Sequence, residues 1–350
     1  MIKEAMLYDK LDGNKVRCRV CSHRCIVVDG KRGFCRVREN RNGTFYTLIY
    51  NTVSSEAVDP IEKKPLFHFY PGTLAYSLGT IGCNFRCEHC QNWTISQIEI
   101  DEAYTVEITP EEAVQRALAA GARTIAWTYN EPTIWYEYTY DCAKLAKEAG
   151  LATAYITNGY ITAEALEHIS PYLDAFRVDI KAFTEDFYRK AASAKLGPVL
   201  GSAKLARELG MHVEVVNLVI PDHNDSSEEI RNLIRWVYEN LGAETPVHFT
   251  RFHPQYHMSD IIATPIQKLE EAHRIATEEG MKFVYTGNMP GHDHENTYCP
   301  ACRKLLIRRR MFSVIEYDIT PQGTCPRCGE PIPVVGATQD EWARRSEEIQ

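Results

Sequence analysis

The 350-residue sequence has no apolar run near the roughly 18 residues of a membrane span, which argues against a transmembrane protein. Its first residues, MIKEAMLYDKLDG, carry acids and no apolar h-region. They do not read as a secretory signal, and a cytoplasmic protein is expected. An excess of positive charge is missing too. Lys and Arg number 39 against 47 Asp and Glu, for a net charge of -8. With no cluster of stacking aromatics either, a nucleic-acid partner is not indicated. Internal repeats and low-complexity tracts are also lacking. The hydrophobic content of 44% and charged content of 25% are ordinary for a globular chain with a large core. The length allows two domains, or one α/β barrel with small appendages.

Cysteine, by contrast, is plentiful, with twelve residues. A reducing compartment keeps thiols from forming disulfides, so metal binding is the expected use. The positions agree with that use. Cys18, Cys21, Cys25 and Cys35 form one group, Cys83, Cys87 and Cys90 a second, and Cys299, Cys302, Cys325 and Cys328 a third. Cys142 stands alone in a helical pattern and reads as a small core hydrophobe.

Three segments follow from the patterning. Residues 1–70 lack long helical periodicity and include a strand-like run, TFYTLIYNTV (44–53). Residues 71–290 alternate apolar runs with amphipathic ones. Strands are expected at 74–79, 124–129, 152–157, 175–180, 213–220, 247–252 and 282–286. Helices are expected from Pro110 and over 133–149, 162–169, 198–209, 226–240 and 265–279. Such alternation implies parallel strands with helical crossovers, as a partial barrel or an open doubly wound sheet. Residues 291–350 have zinc-ribbon character and a polar end, ATQDEWARRSEEIQ.

The central group lies in Gly82-Cys83-Asn84-Phe85-Arg86-Cys87-Glu88-His89-Cys90-Gln91-Asn92-Trp93, just after the first core strand. Three thiolates in one loop can bind three irons of a cubane and leave the fourth open to an outside ligand. The amino and carboxylate groups of S-adenosylmethionine (SAM) are suitable chelators, and reductive cleavage of its sulfonium yields a 5′-deoxyadenosyl radical. A zinc site completed by His89 is the plainer alternative, but structural zinc favours four ligands in paired knuckles.

CNFRCEHC resembles the CxxxCxxC signature of the radical SAM superfamily, with His89 as the ring-bearing residue before the last cysteine. The run GCNFRCEHCQNW is similar to the pyruvate formate-lyase activating enzyme branch. The whole-chain arrangement most resembles the radical SAM component of the AmmeMemoRadiSam system. That resemblance implies a partial (βα) barrel of the radical SAM type, a [4Fe–4S] cluster on Cys83, Cys87 and Cys90, and SAM as cofactor. It also implies an external electron donor, and Memo-like or AMMECR-like proteins as candidate partners or substrates.

Further candidates gather where strands end, which is where α/β sites form. Thr128-Tyr129-Asn130-Glu131-Pro132 resembles the family's GGE-type element without its glycines, so only the Glu131 role, pairing with the SAM ammonium, carries over. Asn158, in Thr157-Asn158-Gly159, and Asp179 with Lys181 resemble residues that line the SAM site. Asp and Lys two apart on a strand share a face, so a mutual salt bridge is the alternative. His253 matches a ribose-contacting His by position, and Val284–Asn288 the backbone that meets adenine.

Cys299-Pro-Ala-Cys302 and Cys325-Pro-Arg-Cys328 are knuckles about twenty residues apart, the spacing of a zinc ribbon. Cys18, Cys21, Cys25 and Cys35 are irregularly spaced. They suit zinc or an auxiliary iron–sulfur cluster, with His23 able to replace one ligand. A radical SAM enzyme is the leading reading. A non-catalytic metal-scaffolded adaptor or electron-transfer protein is the alternative, and a zinc-dependent RNA-binding module is a weaker one.

Overall fold

The apolar runs of the middle segment become parallel strands of one eight-stranded sheet. This is a computed structural model that describes residues 1–336. The polar end expected of the tail, 337–350, lies outside the described residues. The strands are β1 (Ser55–Pro60), β2 (Leu74–Gly79), β3 (Thr124–Trp127), β4 (Ala152–Thr157), β5 (Ala175–Asp179), β6 (His212–Val219), β7 (Val247–Arg251) and β8 (Val284–Gly287). Spatial order follows chain order from β1 to β8. Only β1 is antiparallel, pairing with β2. Sequential order with right-handed crossovers puts every connecting helix on one face and curls the sheet. A doubly wound sheet would reverse its order partway. The ends, β1 and β8, do not pair, so the barrel is partial.

Burial explains the strands. Every residue of β3 and β4 is buried, as apolar strands covered on both faces should be. Capping explains the helices. Thr109 and Glu112 form a capping box on Pro110–Ala119, and Ser226 caps Ser227–Leu241 through the Glu229 N–H. The helix expected from residue 133 begins as α-helix only at Tyr136, because Pro132–Trp135 makes a tighter 3₁₀ turn first. The run 44–53 divides into Thr44–Thr47 and Thr52–Val53, which sit in different small sheets.

Both flanking segments return to the barrel. Ser55–Pro60, within 1–70, supplies its edge strand. Arg38 forms a buried ion pair with Glu137 of helix Tyr136–Glu148, Nη1 to Oε1 at 2.9 Å. At the other end, Thr297–Tyr298, Leu305–Arg310 and Ser313–Tyr317 make a three-stranded antiparallel sheet. Its Leu306 and Ile307 share a buried cluster with Phe67, Phe283 and Tyr285. Among the described residues no helix is long and apolar enough to cross a membrane.

Candidate active site

Strand β2 feeds directly into the loop of the central cysteines. Gly82 stands there with φ +84°, and an added Cβ would meet Val37 Cγ1 at 2.7 Å and the Cys35 carbonyl oxygen at 2.9 Å. Only glycine fits that approach. The Asn130 amide donates to the Gly82 carbonyl at 2.8 Å, and Arg86 Nη1 donates to the Cys83 carbonyl at 2.9 Å. Cys83, Cys87 and Cys90 all line one cavity of about 440 Å³ at the C-terminal strand ends. The Phe85 N–H donates to Cys83 Sγ at 3.3 Å. Burial raises the three thiols. Cys87 is pushed up to about 12, although nearby Lys181 opposes the shift. Left as thiols they would stay protonated at neutral pH, whereas metal ligation displaces those protons.

Polar side chains from successive strands face the same space. Thr128, Tyr129 and Asn130 follow β3, and Asn158 follows β4. The Asn158 amide donates to Asn84 Oδ1 at 2.8 Å, tying β4 to the cysteine loop. Arg177, Asp179 and Lys181 alternate along β5 and just past it, on one face. Asp179 pairs with Arg177 and, at 3.3 Å, with Lys181. Burial would raise the Asp179 carboxyl, but Arg177 and then Lys181 hold it below its ordinary value. Thr286, Gly287 and Asn288 of the β8 end complete the rim.

Several buried polar atoms around this space have no hydrogen-bond partner among the described residues. They are both ring nitrogens of His89, Arg177 Nε, Glu62 Oε2 and Thr286 Oγ1. Burial lowers His89 to about 3, so its ring is neutral and offers one donor and one acceptor. Buried polar groups normally find partners. Three adjacent thiols, a charge triad with one positive charge in excess and unspent donors and acceptors fit an iron–sulfur cluster with a polar, zwitterionic ligand beside it.

Two expected contacts are placed differently. Glu131 is fully buried and is not part of the cavity wall. Its Oε1 accepts from the Thr133 N–H at 3.0 Å and the Thr157 hydroxyl at 2.7 Å, and its Oε2 from the Asn158 N–H at 2.8 Å. It fastens the end of β3 to the end of β4 rather than presenting a free carboxylate to an ammonium. His253 is exposed and lies outside the cavity lining. After β7 the chain is held by Arg251 Nε donating to the Thr264 carbonyl at 2.8 Å, and by the Phe252 N–H donating to the Thr264 hydroxyl at 2.9 Å. Sequence reasoning missed Arg177, which the alternation in Arg177-Val178-Asp179-Ile180-Lys181 signals. It also missed His248, Lys64 and Phe67, and the hairpin-tip residues Met311 and Phe312, all of which line the cavity.

The flanking cysteines differ from each other in spacing. In the ribbon, Cys299 and Cys328 sulfurs lie 3.6 Å apart and those of Cys302 and Cys325 3.7 Å. Thiolates around one tetrahedral ion with metal–sulfur bonds of about 2.3 Å stand about 3.8 Å apart. Among the described residues this set alone brings three or more ligand atoms within 4.8 Å of one another. Cys18, Cys21 and Cys35 are buried and Cys25 half-buried. His23 has one ring nitrogen engaged elsewhere. Its Nε2 lies 2.7 Å from the Asn84 carbonyl oxygen, and its ring packs against Phe34 and Tyr160.

The sequence profile described as the Radical SAM superfamily matches residues 78–237. The chain is 51% identical over 336 residues to the uncharacterized protein MJ0808 of Methanocaldococcus jannaschii, covering 95% of this chain and 100% of that one. It is 21% identical over 285 residues to the uncharacterized protein MJ0674 of the same organism, covering 77% and 76%. It is 26% identical over 181 residues to the pyruvate formate-lyase-activating enzyme of Clostridium pasteurianum, covering 49% and 72%.

Proposed function

Since this chain belongs to the radical SAM superfamily, we propose that it uses SAM to abstract a hydrogen atom from a protein substrate, as a glycyl-radical activating enzyme does. The observation that carries this reading is a single cavity. It joins Cys83, Cys87 and Cys90 to the polar strand ends, and the ribbon hairpin reaches its mouth. Cys83, Cys87 and Cys90 are the residues to hold a [4Fe–4S] cluster. With SAM bound and one electron from an external donor, that cluster supplies a 5′-deoxyadenosyl radical.

The protein's own part is binding and orientation. Asn158, Asp179, Lys181 and Arg177 offer amide and charged groups to a zwitterion. Neutral His89 offers a buried donor and acceptor. Glu131 keeps Asn158 in place through its backbone. The ribbon cysteines hold zinc in a closed four-thiolate site, which folds a segment too small for its own core. Memo-like and AMMECR-like proteins are the candidate partners, through the system this chain resembles. The reduced thiols suit the cytoplasm.

The test is anaerobic reconstitution followed by reduction in the presence of SAM. The wild type is expected to form 5′-deoxyadenosine, and Cys87→Ala to lose both cluster and product. A wild-type chain that binds the cluster yet never cleaves SAM would overturn the proposal, as would normal cleavage by Cys87→Ala.

A further inference from the structure

The N-terminal cysteines are not built like the ribbon. Cys18 and Cys21 form one CxxC, but Cys25 and Cys35 stand singly, so there is no second knuckle to make the paired arrangement of structural zinc. Their spacing differs as well. The ribbon alone, among the described residues, draws its ligand atoms within 4.8 Å of one another. Among the described residues, neither the N-terminal set nor Cys83, Cys87 and Cys90 meets that spacing. A cubane puts each thiolate on a different iron, so its sulfurs stand wider apart than four around one ion.

The surroundings agree. Val16, Val20, Val27 and Val37 are buried about the group. The Phe34 N–H donates to Cys25 Sγ at 3.5 Å, the kind of bond that tunes cluster sulfur. The group also abuts the central loop. The Cys35 carbonyl lies against Gly82, which precedes Cys83. Arg86 donates to the Phe34 carbonyl and stacks on the Phe34 ring at 4.6 Å.

We propose that Cys18, Cys21, Cys25 and Cys35 hold a second [4Fe–4S] cluster, ligated by protein at all four irons and seated against the loop of the first. With no open iron it binds no substrate; its chemistry is one-electron storage beside the site that consumes an electron. The ligation of this cluster does not depend on the reading of Cys83, Cys87 and Cys90, its electron-storage role rests on that reading, and the experiment keeps the two apart.

The full chain with Cys83, Cys87 and Cys90 all changed to Ala is purified anaerobically, and its iron, acid-labile sulfide and zinc are counted. This variant leaves the N-terminal segment untouched. The expected result is about four iron and about four sulfide per chain with a cubane Mössbauer spectrum, against about eight iron in the wild type. A wild type with about four iron and a variant with none would overturn the second cluster while leaving the first. About two zinc per chain in that variant would assign the N-terminal site to zinc instead. About four iron in both proteins would support the second cluster and count against the first. Should that variant not fold, the full chain with Cys18, Cys21, Cys25 and Cys35 changed to Ala answers the question instead: about four iron fewer than the wild type is expected, and an unchanged iron count overturns the second cluster.

Discussion

Glu131 illustrates what one residue's direction decides. Its carboxylate accepts from three donors on two strand ends and shows no surface. Glu131→Gln replaces one acceptor oxygen with a donor that must face another donor. The expected cost is about 1–3 kcal/mol, read as a lower Tm, with weaker SAM binding following from the displaced Asn158. An unchanged Tm with SAM affinity reduced tenfold would instead restore direct contact with the ammonium. At this scale the three cysteines that line the cavity were legible because spacing alone selects them. The side at which Glu131 spends its charge was not, since Thr157 and Asn158 lie a whole strand away. That His253 would lie outside the cavity lining was hidden for a similar reason. The path after β7 is set by bonds to Thr264, which no local pattern announces.

Among elements, the segment before β2 and the ribbon hairpin do work that their sequences conceal. Glu214 on β6 is fully buried. It accepts from the Phe67 and His68 backbone N–H groups at 3.0 and 2.8 Å, and lies 2.8 and 2.6 Å from the Nε2 atoms of His212 and His248. Burial would raise its carboxyl, yet His212 and His248 hold it well below the ordinary range. A depressed folded value means the stabilisation is complete above the unfolded value of about 4.3 and is lost as pH falls below it. Glu214→Gln should therefore destabilise the protein at neutral pH by on the order of 3 kcal/mol. The loss should shrink in acid, as chemical denaturation at pH 7 and pH 3 can measure. An equal loss at both would assign the effect to shape alone.

The hairpin turn places Met311, 52% exposed, and Phe312, 40% exposed, at the cavity mouth. Exposed apolar residues beside a reactive site suit a docking edge for a protein substrate. Changing both to Ser should leave SAM cleavage without substrate intact and cut coupled turnover at least tenfold. Equal turnover would reduce the hairpin to a cover over the barrel edge. The barrel strands were legible from apolar runs of strand length. The edge strand β1 was not, because Ser55-Glu56-Ala57-Val58-Asp59-Pro60 is half polar and gains its place only by pairing with β2.

The whole molecule closes on itself around the cavity. Arg309 of the ribbon is buried, donates to the Phe67 carbonyl at 2.8 Å and lies 3.7 Å from Glu62, so the two segments that flank the barrel core meet at its mouth. Sequence showed three cysteine groups on three segments. It could not show that all three segments contribute to one wall, because contacts between residues 62 and 309 leave no local trace. The central claim is that SAM sits directly on a cluster held by only three thiolates. Electron–nuclear double resonance on the reduced protein, with SAM labelled with ¹⁵N in its amino group and ¹⁷O in its carboxylate, tests this most directly. The expected result is hyperfine coupling of both labels to the cluster spin, lost in Cys87→Ala; SAM bound at saturation with no coupling from either label would contradict it.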